Sequence, residues 1–186
     1  MTFDEYFAVL ENCGWFQAYS EPTKVRLATN LKRGWEDNPA YAVYSLGDAA
    51  WDPEDASGAD AAEEILKSLT RVSEGQFQAE GLTYENFKKD DGGRTSPWCR
   101  VSFVHGGQPV AIELYRGDRE DYEGTLVRAC NDALAGAGCP YRFYQVPSGD
   151  QCYYFAFVTP EAYSAVEGRG WLKVQKVGNG VWGAIV

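Results

Sequence analysis

Three pairs of strand-like runs, each pair folded about a turn and set apart by helical stretches, constrain this chain most. The clearest is Trp98–Val104 and Pro109–Tyr115 around His105-Gly106-Gly107-Gln108; two β-rich runs across a Gly-Gly turn predict a hairpin. In the second run Val110, Ile112 and Leu114 alternate with Ala111, Glu113 and Tyr115, so one face is expected against a core and the other in water. Tyr141–Val146 and Gln151–Val158 flank Pro147-Ser148-Gly149-Asp150, and Trp171–Val177 and Val181–Val186 flank Gly178-Asn179-Gly180. The 141–158 strands carry aromatics on both faces, as doubly covered strands do. Hairpins joined by helices predict an α+β fold: a mainly antiparallel sheet built from hairpins, helices packed on it, and a helical N-terminal part.

The helices show in spacing and punctuation. Thr2 with Glu5 makes a capping-box pattern ahead of Phe3, Tyr6, Phe7 and Leu10, and Cys13-Gly14 stops that helix. Ser20-Glu21-Pro22 opens a second, with Val25, Ala28, Leu31 and Trp35 on one stripe and Gly34 as its breaker. A short strand is expected at Tyr41–Leu46. A third helix spans 60–71 and buries Ala62, Ile65, Leu66 and Leu69; Asp60 and Glu63 match a cap and its third helical residue. Residues 73–97 carry the least pattern, with Lys88-Lys89-Asp90-Asp91-Gly92-Gly93 expected as a turn or mobile loop. A helix over 121–137 buries Tyr122, Leu126, Cys130, Ala133 and Leu134. A last one starts at Thr159-Pro160 and ends at Gly168.

A chain of 186 residues suits a single domain, 1–186, within which 1–72 forms a helical N-terminal subdomain and 98–186 the α+β core. No basic leader followed by an apolar run opens the sequence and no apolar run approaches a membrane span, so a cytoplasmic protein that does not engage a membrane is expected. Five cysteines, widely spaced and without a C-x-x-C pair, are expected as buried reduced thiols rather than a disulfide or zinc framework.

Chemistry-bearing motifs are few. His105 is the single histidine and is expected to face solvent at its hairpin tip. There is no G-x-S-x-G elbow and no phosphate-cradling glycine loop. Asp52 to Asp60 superficially follows a calcium loop, but placing Gly58 sixth puts Pro53 first, where a ligating side chain is required. Asp118, Glu120, Asp121 and Glu123 lie at a helix start, where carboxylates meet the helix dipole favourably. No catalytic residue, metal or other cofactor is implied.

The remaining signal is charge. From residue 34 to 66 there is no Lys or Arg, yet the stretch holds Glu36, Asp37, Asp48, Asp52, Glu54, Asp55, Asp60, Glu63 and Glu64. Those nine nearly equal the net charge of −10, so the imbalance is local. Phosphate-backbone binding needs clustered Lys and Arg, and the one short group, Lys24, Arg26, Lys32 and Arg33, is countered by Glu36 and Asp37; direct nucleic-acid binding is not expected. Helix-start chemistry accounts for Asp60, Glu63 and Glu64, and turn chemistry for part of the rest, so a solvated acidic surface is the plain alternative. The loop portion, Asp48, Trp51, Asp52, Glu54 and Asp55, sets carboxylates around an aromatic, which is how electrostatically steered interfaces are built. The expectation is a bacterial non-enzymatic protein-binding module, immunity- or inhibitor-like by analogy of charge, engaging a basic protein through those five residues. The alternative is a small-molecule-binding or hydrolytic domain with an aromatic-lined pocket in the C-terminal half.

Overall fold

The computed structural model describes residues 1–51, 59–91, 93–116, 119–148, 152–172, 174–177 and 181–184. Helix α1 (Phe3–Asn12) starts on the expected capping box: the Glu5 N–H donates to Thr2 Oγ1 (3.3 Å) and the Thr2 N–H to Glu5 Oε2 (2.7 Å). Helix α2 (Glu21–Asp37) buries Leu27 and Leu31 and leaves Val25 56% exposed, so its inner stripe is rotated from the expected one. It also continues through Gly34. A mid-helix glycine costs about 1 kcal/mol relative to alanine, a penalty that packing overrides here: a 3-10 helix (Pro39–Ser45) lies against this turn.

That 3-10 helix stands where a strand was expected at Tyr41–Leu46. The Asn38 side chain accepts from the Ala40 N–H (3.1 Å) and Pro39 takes the first helical position. Local helix-start chemistry thus outweighs the β preference of Tyr41, Val43 and Tyr44. The strand comes later, as β1 (Asp48–Trp51), and helix α3 (Ala59–Val72) follows with Ala62, Ile65, Leu66 and Leu69 buried. Asp60 therefore lies inside the first turn of α3 rather than at its cap.

The largest departure lies in 73–97. It holds β2 (Glu80–Asp91) and the start of β3 (Arg94–His105), a long hairpin completed by β4 (Gln108–Tyr115). Leu82 and Tyr84 fall on one face of β2 and Phe87 on the other, and the surrounding positions are polar, so no alternation marked it as a strand. Helix α4 (Arg119–Gly136), β5 (Arg142–Val146), β6 (Tyr153–Val158), helix α5 (Pro160–Glu167), β7 (Val174–Val177) and β8 (Val181–Ala184) complete the order. Among the described residues every strand pairing is antiparallel, in three sheets ordered β1-β6-β5, β2-β3-β4 and β7-β8. The fold is α+β.

The buried side chains form one cluster, running from Tyr6 and Trp15 through Phe77 and Phe157 to Trp171. The N-terminal helices are joined to the C-terminal half by direct contacts. The Tyr6 ring lies 4.5 Å from that of Trp171, and Trp15 faces Tyr163 at 6.5 Å. In the β1-β6-β5 sheet, backbone groups without a neighbouring strand are met by side chains. Tyr19 Oη accepts from the Phe157 N–H (2.7 Å). Asn131 of α4 accepts from the Phe143 N–H (2.8 Å) and donates to the Phe143 carbonyl (2.9 Å). Buried peptide groups are costly unless paired, so these side chains close the edge as a strand would.

Candidate functional site

The acid-only stretch is brought into the fold by β1, an edge strand whose register sets Asp48 opposite Phe155 and Ala49 opposite Tyr154. Gly47 makes that entry possible. A Cβ there would sit 2.6 Å from Val146 Cγ2 and 2.8 Å from the Phe155 carbonyl carbon, closer than real side chains come. A bulge then separates Ala49 from Trp51, which faces Tyr153.

Asp48 does not stand free. Arg26 of α2 grips its carboxylate with two parallel bonds, Nη1 to Oδ1 at 3.0 Å and Nη2 to Oδ2 at 2.8 Å. The hydrogen bond to Asp48 holds the Arg26 guanidinium above its ordinary pKa. The Asp48 side chain is 19% exposed and Arg26 47%, so the clamp is partly desolvated. Fork-on-carboxylate geometry favours it over an ordinary surface pair.

Beside this clamp lies a second charged anchor. Glu74 follows α3 with φ 51°, the left-handed conformation that usually falls to glycine at this helix-end position. Its carboxylate accepts from the Ser20 N–H (2.7 Å) and the Ser20 hydroxyl (2.8 Å) at the start of α2. Burial alone would raise the Glu74 carboxyl; hydrogen bonds from Thr23 and Ser20, with Arg26 nearby, outweigh that and hold it below the usual range. Ser20 opens α2 where expected, but its own side chain makes no cap bond. A carboxylate 54 residues away does so instead. Tyr19, between the two anchors, has its phenol pushed far up, first by burial.

The acidic residues therefore separate into groups. Asp48 is spent on Arg26, and Glu63 and Glu64 share Lys67 at 2.8 and 3.5 Å. Glu36 and Asp37 are exposed in the last turn of α2, and among the described residues they have no ion-pair partner. They lie about 11 residues along the helix from Arg26, roughly 16 Å at the α-helical rise. Asp52, Glu54 and Asp55 lie outside the described residues, as does the side chain of Trp51. The acid-only stretch is thus not one uniform face.

His105 is buried, contrary to the expectation of a solvent-facing turn residue. Its ring tilts against Phe77 at 5.1 Å, and Nδ1 lies 3.1 Å from the Gln78 carbonyl and 3.3 Å from the Gln78 N–H. The turn glycines beyond it hold positive φ while the histidine turns inward. Cys99 and Cys130 are buried and burial raises both thiols; Cys13, Cys139 and Cys152 are half-buried, and none of the five is in a disulfide. Among the described residues no three His, Cys, Asp or Glu side chains gather as metal ligands. The C-terminal aromatics Phe143, Phe155 and Phe157 are core, and Phe143 packs on Phe77 and Phe157 at 5.7 and 4.8 Å.

One feature escaped the sequence because no strand was expected within 73–97. On the outer face of β2-β3-β4 the register aligns Glu85, Arg100 and Glu113 in one row and Phe87, Trp98 and Tyr115 in the next. Lys89 folds back with its Nζ 3.9 Å from the Trp98 ring centre and bonds to Glu113, which also holds Arg100 at 2.7 Å. Bonds from Lys89 and then Arg100 lower the Glu113 carboxyl.

No helix among the described residues is long and apolar enough to cross a membrane. Comparison with protein-family models, with curated proteins and with solved structures gives no match.

Proposed function

We propose that this chain is a protein-binding module rather than an enzyme, immunity- or inhibitor-like in its use of charge, and that it engages a basic protein through acidic groups of the 36–55 segment. The observation that carries this is the placing of Glu36 and Asp37. Both are exposed in the last turn of a 17-residue helix whose last turn holds no basic residue. The carbonyl end of a helix disfavours negative charge, each such group costing about 0.3–1 kcal/mol when exposed. Carboxylates kept against the local field suit recognition better than stability.

Asp48 has a positioning role. Its bond to Arg26 fixes the start of β1, the strand that Asp52, Glu54 and Asp55 follow in sequence. The recognising charges are then Glu36 and Asp37 together with Asp52, Glu54 and Asp55. A concentrated field of one sign raises the on-rate of an oppositely charged partner about 10- to 1,000-fold, and salt removes the gain.

The test is affinity capture from a lysate of the source organism with three baits: the wild type, Glu36→Lys/Asp37→Lys, and Asp52→Lys/Glu54→Lys/Asp55→Lys. A protein of basic isoelectric point should be retained by the wild type at low salt, released as salt rises, and lost from at least one variant. Equal capture by all three baits would contradict an acidic recognition surface.

A further inference from the structure

Among the described residues the edge of β2 has no covering device of the kind that Tyr19 and Asn131 supply in the other three-stranded sheet. β2 lies at one end of the β2-β3-β4 order, and Thr83, Tyr84, Glu85 and Asn86 are exposed, Tyr84 by 42%. Its register with β3 is unbroken from Thr83 to Asp91. The direction of its peptide groups follows from Pro97, which has no N–H and whose carbonyl accepts from the Arg116 N–H (3.0 Å) at the end of β4. Pro97 therefore faces β4, and its register partner Lys88 turns its own N–H and C=O away from β3. By alternation Tyr84, Asn86 and Asp90 do the same. Among the described residues none of these outward backbone groups has a protein partner.

We propose that this edge pairs with the same edge of a second copy of the chain, antiparallel about a two-fold axis at Phe87, making one six-stranded sheet. A two-fold axis perpendicular to the sheet keeps each residue on its own face, so positions pair only with positions of like parity. Centring on Phe87 sets Asn86 opposite Lys88 and Tyr84 opposite Asp90 as hydrogen-bonded pairs. Phe87 then meets Phe87 and Glu85 meets Lys89 at the non-hydrogen-bonded positions, where side chains approach most closely. Opposite charges directly across strands stabilise and like charges destabilise. Centring on Lys88 or Lys89 would put Lys against Lys, centring on Glu85 would put Glu against Glu, and centring on Asn86 gives no ion pair.

Lysines on an edge strand commonly block pairing with a copy. Here Glu85 lies four positions ahead of Lys89, so the same charges favour the Phe87-centred register; the Tyr84-centred one would pair Lys88 with Glu80 only across the irregularity between Glu80 and Thr83. The Glu85 side chain is 68% exposed and reaches Arg100 at only 3.3 Å, leaving it acceptor capacity for the incoming lysine. Lys89 is held by Glu113 and Trp98 of its own chain, but its side chain is 40% exposed and its ammonium has three N–H donors, so it meets the partner's Glu85 while keeping Glu113. The partner is thus a second copy, recognised by main-chain bonds and two symmetric ion pairs, and this association is separate from the acidic surface proposed above.

Sedimentation velocity over a wide concentration range tests it, with circular dichroism confirming the fold of each variant. The wild type should form a dimer at high concentration. Lys88→Pro removes an outward N–H without touching the bonds to β3, and should shift the chain to monomer. Glu85→Lys and Lys89→Glu should each be monomeric alone, because each makes the paired positions alike in charge. Mixing those two variants should restore a dimer, because Lys then meets Glu at both positions. A wild type that stays monomeric throughout would overturn the proposal and leave the edge to an extended segment of another protein. A dimer indifferent to Lys88→Pro and to Glu85→Lys would overturn it too, by placing the interface elsewhere.

Discussion

Glu74 holds a backbone conformation that costs an L-residue roughly 1–2 kcal/mol, and its two bonds from Ser20 are what it provides in return. Replacing it with alanine keeps the strain and loses the cap, and should destabilise the chain by about 1 kcal/mol in urea unfolding. The charge has a pH signature. A carboxyl held below its ordinary value contributes stability above the unfolded value, and that contribution is lost as pH falls through the folded one. Wild-type stability should therefore drop below the usual glutamate range near pH 4 more steeply than that of Glu74→Gln. Equal pH slopes would remove the charge from the cap. Tyr19→Phe tests the tyrosine between the two charged anchors: it leaves the buried Phe157 N–H without its acceptor and should cost about 1–3 kcal/mol. Neither anchor was legible in the sequence, because Arg26 and Asp48 lie 22 residues apart and Ser20 and Glu74 54 apart. Spacing rules reach only a helical turn or a strand pair.

At the scale of elements, what the sequence made legible is what local chemistry decides. The Thr2–Glu5 box, the α3 stripe and the Gly106-Gly107 turn each rest on residues a few positions apart, and each stands in the structure where expected. Tyr41–Leu46 and β2 depart from their sequence patterns for opposite reasons. In the first, Asn38 and Pro39 carried a helix-start signal that the aromatic run masked. In the second, a ribbon wet on both faces toward its tip shows no apolar period. Gly47 joins the two kinds of evidence, since its smallness is visible in sequence and its necessity only in the approach to Phe155. Gly47→Ala should force β1 from β6 and destabilise the chain by about 1–3 kcal/mol, as overpacking of a close contact does; a stability unchanged in thermal unfolding would mean that the entry to β1 yields freely.

Across the whole molecule, the nine acidic residues that looked like one object divide by role. Three serve as partners to Arg26 and Lys67, while Glu36 and Asp37 sit where the helix field opposes them. The candidate site was legible as a composition and not as a surface, since charge counting along a chain ignores the cations that folding brings alongside. If Glu36 and Asp37 serve recognition at some expense of stability, as proposed, one measurement detects it without a partner in hand. Urea unfolding of Glu36→Lys/Asp37→Lys should give a midpoint above that of the wild type, by about 0.5–2 kcal/mol in free energy, because cations suit the carbonyl end of α2. A midpoint below the wild type's would show that these carboxylates hold the fold together, and would contradict their assignment to a binding surface.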